Sequence, residues 1–152
     1  DCVLLDTAAG LSGITEAAVR TADWVLIPQQ AEPLAARSTP LLLETLARYH
    51  QEGSGVKVAG VVLTMLQAQH AVSAQVAREL QELLPPKLLF PQSIPRDPIF
   101  LDASALGLPV SLVRKNPPPT ALVFDQLAAE LEERISLTGR KDQLEPHAGL
   151  LD

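Results

Sequence analysis

The chain has 152 residues, of which 47% are hydrophobic and 20% charged, which suits one domain with a real core. A net charge of −6 and a pI near 5.0 exclude a domain that grips nucleic acid through its overall charge, and leave only a local basic patch for that purpose. The single cysteine, Cys2, excludes an intramolecular disulfide. Apolar runs too short for a bilayer and the lack of a signal-peptide pattern predict a cytoplasmic protein.

The sequence opens at Asp1-Cys2-Val3-Leu4-Leu5-Asp6, already inside an apolar run and without an initiator Met, which reads as a fragment or a product missing its first half. Cys2 to Leu5 is the first predicted strand, with Cys2 as a core thiol rather than a nucleophile. Trp24 to Ile27 is the second. Leu34, Leu41, Leu42, Leu46 and Tyr49 approximate a helical face, with the main helix starting at Pro40, capped by Thr39 and ended by Gly53-Ser54-Gly55. Val58 to Leu63 is the third strand, broken only by Ala59 and Gly60. Val72, Val76, Leu80 and Leu83 form a second helical stripe closed by Pro85-Pro86. Leu88 to Phe90 is a short fourth strand, Ile99 to Leu106 a short helix stopped by Gly107, and Val110 to Val113 a candidate fifth strand. Phe124, Leu127, Leu131 and Ile135 make the last helical stripe. Continuous apolar runs alternating with helices predict an α/β fold, an open and mostly parallel sheet with helices on both faces. Residues 1–138 form this unit, and 139–152 read as a polar, disordered tail.

Candidate chemistry concentrates where the first run ends. In an open α/β sheet, ligands sit outside the carboxyl ends of the strands. Asp6 falls at such an end. A carboxylate there suits Mg²⁺ beside a nucleotide phosphate, and Gly10 lets backbone approach a terminal phosphate. The same segment also suits an aspartate capping a turn, and both readings stand on these residues alone. A phosphoacceptor strand of a response-regulator receiver is rejected: no acidic pair precedes Asp6, and the next run ends Ile27-Pro28-Gln29 rather than in Ser or Thr.

Asp6-Thr7-Ala8-Ala9-Gly10-Leu11 resembles the switch segment of ParA/MinD partitioning ATPases, DTPPGL. Ala22 to Pro28 resembles that family's aD.vliP strand, Val61 to Met65 its gvvlTm strand, Ile94-Pro95-Arg96-Asp97 its IPr motif, Ala103 to Val110 the segment after it, and Phe124 to Leu131 its closing helix. The matches keep the family's order over residues 1 to about 135. The resemblance implies a P-loop NTPase-like fold and a deviant-Walker ATPase that dimerises around ATP and Mg²⁺ to position DNA or a partition complex. By position, Asp6 is the catalytic acid near Mg²⁺. Thr7 to Gly10 form the γ-phosphate switch, and Thr64, Met65, Pro95 and Arg96 lie near the adenine. Ordinary roles compete: core filler for Met65, loop geometry for Pro95, a solvated charge for Arg96. The implied partners are a second copy, a partition-complex protein and, for the intact protein, nonspecific DNA, with nucleoid association but no membrane.

Three departures bear on activity. The family's Lys-rich glycine loop, its catalytic-Asp region and its first strand precede the switch and are not in this sequence, so the chain as it stands is not expected to hydrolyse ATP. Ala8-Ala9 replaces paired prolines, which loosens the switch. A rival reading is therefore a ParA-like remnant without nucleotide binding that serves as a protein-interaction scaffold. His50, His70 and His147 stand apart from any metal-ligand spacing and read as surface residues. Arg134, Arg140 and Lys141 read as a solvated helix end, and the segment after Gly139 lacks the facing of a membrane-binding helix.

Overall fold

The computed structural model describes residues 2–135. Three strands, β1 (Trp24–Gln30), β2 (Lys57–Leu66) and β3 (Leu89–Pro95), pair in parallel in the order β1-β2-β3. Around them lie α1 (Ile14–Thr21), α2 (Pro33–Ala36), α3 (Thr39–Tyr49), α4 (Ala71–Leu83), α5 (Ile99–Leu106) and α6 (Pro119–Ile135). The α/β reading, with parallel strands joined through helices, holds.

Strand β2 is buried from Ala59 to Leu63, as its continuous apolar run predicts. Val61 and Leu63 face a core built with Val19 of α1, Ile27 of β1, Leu46 and Tyr49 of α3, and Val76 and Leu80 of α4. On the opposite face Gly60 lies against Phe90 and Arg134, so α6 covers β2 and β3 there. Strand β1 alternates instead: Ile27 and Gln29 are buried, while Leu26, Pro28 and Gln30 are exposed. Among the described residues β1 is paired on one side only.

Several expectations are corrected. Cys2 to Leu5 is no strand: Val3 and Leu4 are each 82% exposed, and among the described residues no neighbour supplies the ladder hydrogen bonds that a strand requires. Cys2 is likewise exposed rather than a core thiol. Val110 to Val113 does not add a fifth strand, because Pro109 leads into a single 3₁₀ turn over Val110–Leu112 whose Leu112 is exposed. Thr39 is the first residue of α3 rather than its cap, and its buried hydroxyl donates to Gln29 Oε1 at 2.6 Å. Beyond Tyr49 the chain makes a π-type turn, His50–Ser54, before Gly55 turns left-handed at φ 73°. Helix α1 has no counterpart among the predicted helices: its buried residues are Thr15 and Val19 while Ile14 is exposed, so no apolar stripe marks its inner face. The predicted tail, 139–152, lies outside the described residues, as do Arg140, Lys141 and His147.

Arg134 is not a solvated helix end. Its guanidinium donates to the carbonyls of Ala59 (3.1 Å), Lys87 (2.8 Å) and Leu89 (3.1 Å), and Nε donates to Glu130 (2.7 Å). The same group lies 3.9 Å from the Phe90 ring centroid, within cation–π range. It bolts α6 across the seam between β2 and β3. Gly60 makes room for it. The β1–β2 register slips between Val25 and Leu26, whose partners are Val58 and Gly60, and this bulge brings Gly60 to φ 154°. A Cβ at Gly60 would stand 2.5 Å from Phe90, 2.6 Å from Arg134 and 2.7 Å from the Leu88 carbonyl.

Two substitutions test this seam by chemical denaturation. Gly60→Ala is expected to cost about 3 kcal/mol or more, since one obstructing atom is backbone. Arg134→Ala should cost about 2–4 kcal/mol from the lost carbonyl partners and ring contact. Arg134→Lys should recover less than half of that, because an ammonium cannot reproduce the guanidinium fork.

Candidate functional site

The carboxyl ends of β2 and β3 converge on one rim of the sheet. Leu66 pairs with Pro95, and the Arg96 N–H donates to the Leu66 carbonyl at 3.0 Å. The Ala31 N–H, just past β1, donates to the Thr64 carbonyl at 2.9 Å. Thr64, Met65, Pro95 and Arg96 are thereby brought together at this rim, although the sequence separates the two pairs by about thirty residues. An open cavity of about 470 Å³ lies beside them, lined by Leu66, Gln67, Ala68, Gln69, His70 and Arg96. Arg96 also reaches Glu32 of the β1–α2 loop at 3.6 Å, so it spans the rim rather than standing as an isolated charge. With both side chains about half exposed, this ion pair orients more than it stabilises.

Met65 is the strained point. It is the described non-glycine residue with positive φ, 53°, inside a strand whose register shifts between Leu63 and Leu66. At 41% exposure it is not core filler. A left-handed L-residue costs about 1–2 kcal/mol, and such strain gathers at functional positions.

Asp6, Thr7 and Gly10 lie elsewhere in the chain, on the exposed stretch before α1. Thr15 Oγ1 donates to the Ala8 carbonyl at 3.4 Å and ties the stretch to α1. Gly10 has φ 94°, with open space where a Cβ would be. No hydrogen bond or ion pair joins this stretch to Thr64, Met65, Pro95 or Arg96 among the described residues. Nor do the described residues hold a cluster of three or more His, Cys, Asp or Glu side chains placed for a metal. An exposed single carboxylate such as Asp6 nonetheless suits Mg²⁺, which keeps most of its waters and takes one or two carboxylates beside phosphates.

Two polar residues near the rim, Ser73 outside the matched motifs and Asp97 at the end of one, carry bonds that the motifs do not indicate. Ser73 is buried on the first turn of α4, where its hydroxyl accepts the Gln67 N–H (3.1 Å) and donates to the Ala31 carbonyl (2.9 Å). Asp97, directly after Arg96, accepts the Ile99 N–H at 2.9 Å and the Thr120 hydroxyl at 2.8 Å. These bonds hold its carboxyl below the ordinary value, the backbone N–H contributing most, then Thr120, with Arg114 adding a smaller charge attraction against desolvation. Asp97 thus joins the rim to the start of α6. An Asp two residues before an apolar helical run was the available signal.

The chain is an open parallel α/β sheet domain with a cavity and a strained residue at its carboxyl rim, the end of the sheet where such folds bind ligands. No family model matches the chain. The chromosome partitioning protein ParA of Caulobacter vibrioides is 32% identical over 111 residues, covering 72% of this chain and 41% of that protein. The chromosome-partitioning ATPase Soj of Thermus thermophilus is 29% identical over 138 residues, covering 89% and 54%. Among solved structures, the ATP complex of a Cyanothece McdA variant matches with a TM-score of 0.64 at 22% identity, over 81% of this chain and 46% of that one, a likeness of fold. These relatives support a ParA/MinD-type partitioning ATPase family for the chain. It spans about half the length of the curated relatives it matches.

Two measurements test the rim. Met65→Val should destabilise by about 1–2 kcal/mol because a β-branched residue resists positive φ, whereas Met65→Gly should cost little or gain slightly in thermal unfolding. For Asp97 the folded value is depressed, so its contribution is fully present above the unfolded value of about 3.9 and is lost as pH falls through the folded value. The stability gap between the natural protein and Asp97→Asn should accordingly close on acidification below that range.

Proposed function

We propose that this chain supplies the base-side pocket and the switch segment of an ATP-dependent dimeric switch that positions DNA or another cargo. The observation that carries the reading is the convergence of Thr64, Met65, Pro95 and Arg96 on one pocketed carboxyl rim. That is where the resemblance puts the adenine and where the fold class binds ligands. The relatives' names, a partitioning ParA and a partitioning ATPase, support the cargo-positioning role. In this reading the pocket takes the purine of ATP. Thr7 and Gly10 present backbone groups toward its terminal phosphate, and Asp6 holds Mg²⁺, which neutralises phosphate charge when bound. A second copy completes the ATP-bound dimer, a partition-complex protein and nonspecific DNA are its partners, and it works in the cytoplasm against the nucleoid.

Asp6→Ala in the intact protein tests the assignment. ATP turnover should fall about a hundredfold or more while the melting temperature holds, since Asp6 is exposed. A lowered melting temperature with surviving turnover would make Asp6 a structural turn residue. Failure of the intact protein to bind ATP·Mg²⁺ in a titration would instead favour the scaffold reading.

A further inference from the structure

We propose that Ser73 is a positioning residue for the pocket, fixing the Leu66–His70 wall so that it can discriminate between nucleotide bases; this rests on the nucleotide reading above. The wall is a loop, held mainly by backbone bonds. The Leu66 carbonyl accepts the Arg96 N–H at 3.0 Å, and the Gln67 carbonyl accepts the His70 N–H at 2.9 Å. The Gln67 N–H, between them, goes to a side chain: Ser73 Oγ, at 3.1 Å.

That hydroxyl also donates to the Ala31 carbonyl at 2.9 Å, across 42 positions of sequence. Ala31 is fully buried, and its own N–H is spent on the Thr64 carbonyl at 2.9 Å. Ser73 itself is 4% exposed. One buried hydroxyl therefore locks the pocket loop to the end of β1, and through Ala31 to the Thr64 end of β2. Removing it leaves a buried carbonyl and a loop N–H unpartnered at once.

A hydroxyl that merely satisfied two backbone groups would affect stability alone. A positioning hydroxyl affects recognition as well. Bases are told apart by hydrogen bonds whose geometry does not survive a shift of about 1 Å in the wall. Selectivity, rather than affinity or folding, separates the two roles.

The intact protein, Ser73→Ala and Val76→Ala are compared. Val76 is buried three residues further along α4 in the core with Val61, Leu63 and Leu80, so Val76→Ala destabilises the same helix through packing and leaves the Ser73 hydrogen bonds in place. Two readouts are taken: amide exchange at Gln67 without nucleotide, and dissociation constants for ATP·Mg²⁺ and GTP·Mg²⁺. Ser73→Ala should speed Gln67 exchange, and lower the ATP-over-GTP preference, each by about five- to tenfold. Val76→Ala should leave that preference unchanged. Natural-sequence protein that binds neither nucleotide would overturn the nucleotide reading and this inference with it. Natural-sequence protein that prefers ATP, beside a Ser73→Ala that keeps either the same preference or the same Gln67 exchange, would overturn this inference alone. So would an equal loss of preference in Val76→Ala.

Discussion

Strand β2 must be satisfied on both edges and both faces at once, and the other elements take their places from that requirement. A parallel strand buried over Ala59 to Leu63 leaves no backbone group there to water, so β1 and β3 have to supply its ladders and helices have to cover both sides. Its side chains obey the two-residue period: Val61 and Leu63 serve the α1–α3–α4 core, and Gly60 faces α6. Where β2 ends, the rim begins. The Thr64 carbonyl already belongs to Ala31 and the Leu66 carbonyl to Arg96, so the segments that form the pocket are fastened to the sheet's last ladder positions. Met65 takes up the strain between them.

The opposite end of β2 is closed by a different device. The Arg134 fork collects the carbonyl of Ala59, at the β1–β2 bulge, and those of Lys87 and Leu89, where β3 begins, while stacking on Phe90. A planar cation with five donors suits this task, which no apolar residue could perform. Gly60 lies beneath it because any side chain there would displace the guanidinium.

Much of this was legible in the residues, and the failures have physical causes. The runs around Ile27, Val61 and Phe90 became strands because each found a neighbour. Cys2 to Leu5 has the same composition and did not, since β-propensity is realised only through pairing. Thr39 looked like a cap, but a buried Gln29 claimed its hydroxyl. The rim residues Thr64, Met65, Pro95 and Arg96 could be named from motif order, and the sheet then brought them together. Ser73, Asp97 and Arg134 could not be assigned roles in advance, because each acts on backbone groups distant in sequence. The sequence shows a polar side chain but not which orphaned carbonyl or N–H the fold will leave beside it.

Helix α6 runs against the direction of the strands. Thr120, near its start, meets Asp97 at the pocket rim, whereas Arg134, near its end, meets Ala59 and Lys87 where β2 and β3 begin. Seventeen residues at about 1.5 Å each give a strut of about 25 Å, pinned at both ends by side-chain contacts rather than by loops alone. A strut fixed in this way cannot slide without breaking one anchor. The Arg96–Asp97 corner and the beginnings of β2 and β3 are therefore braced by one and the same helix, so the length of α6 sets the spacing between the two rims.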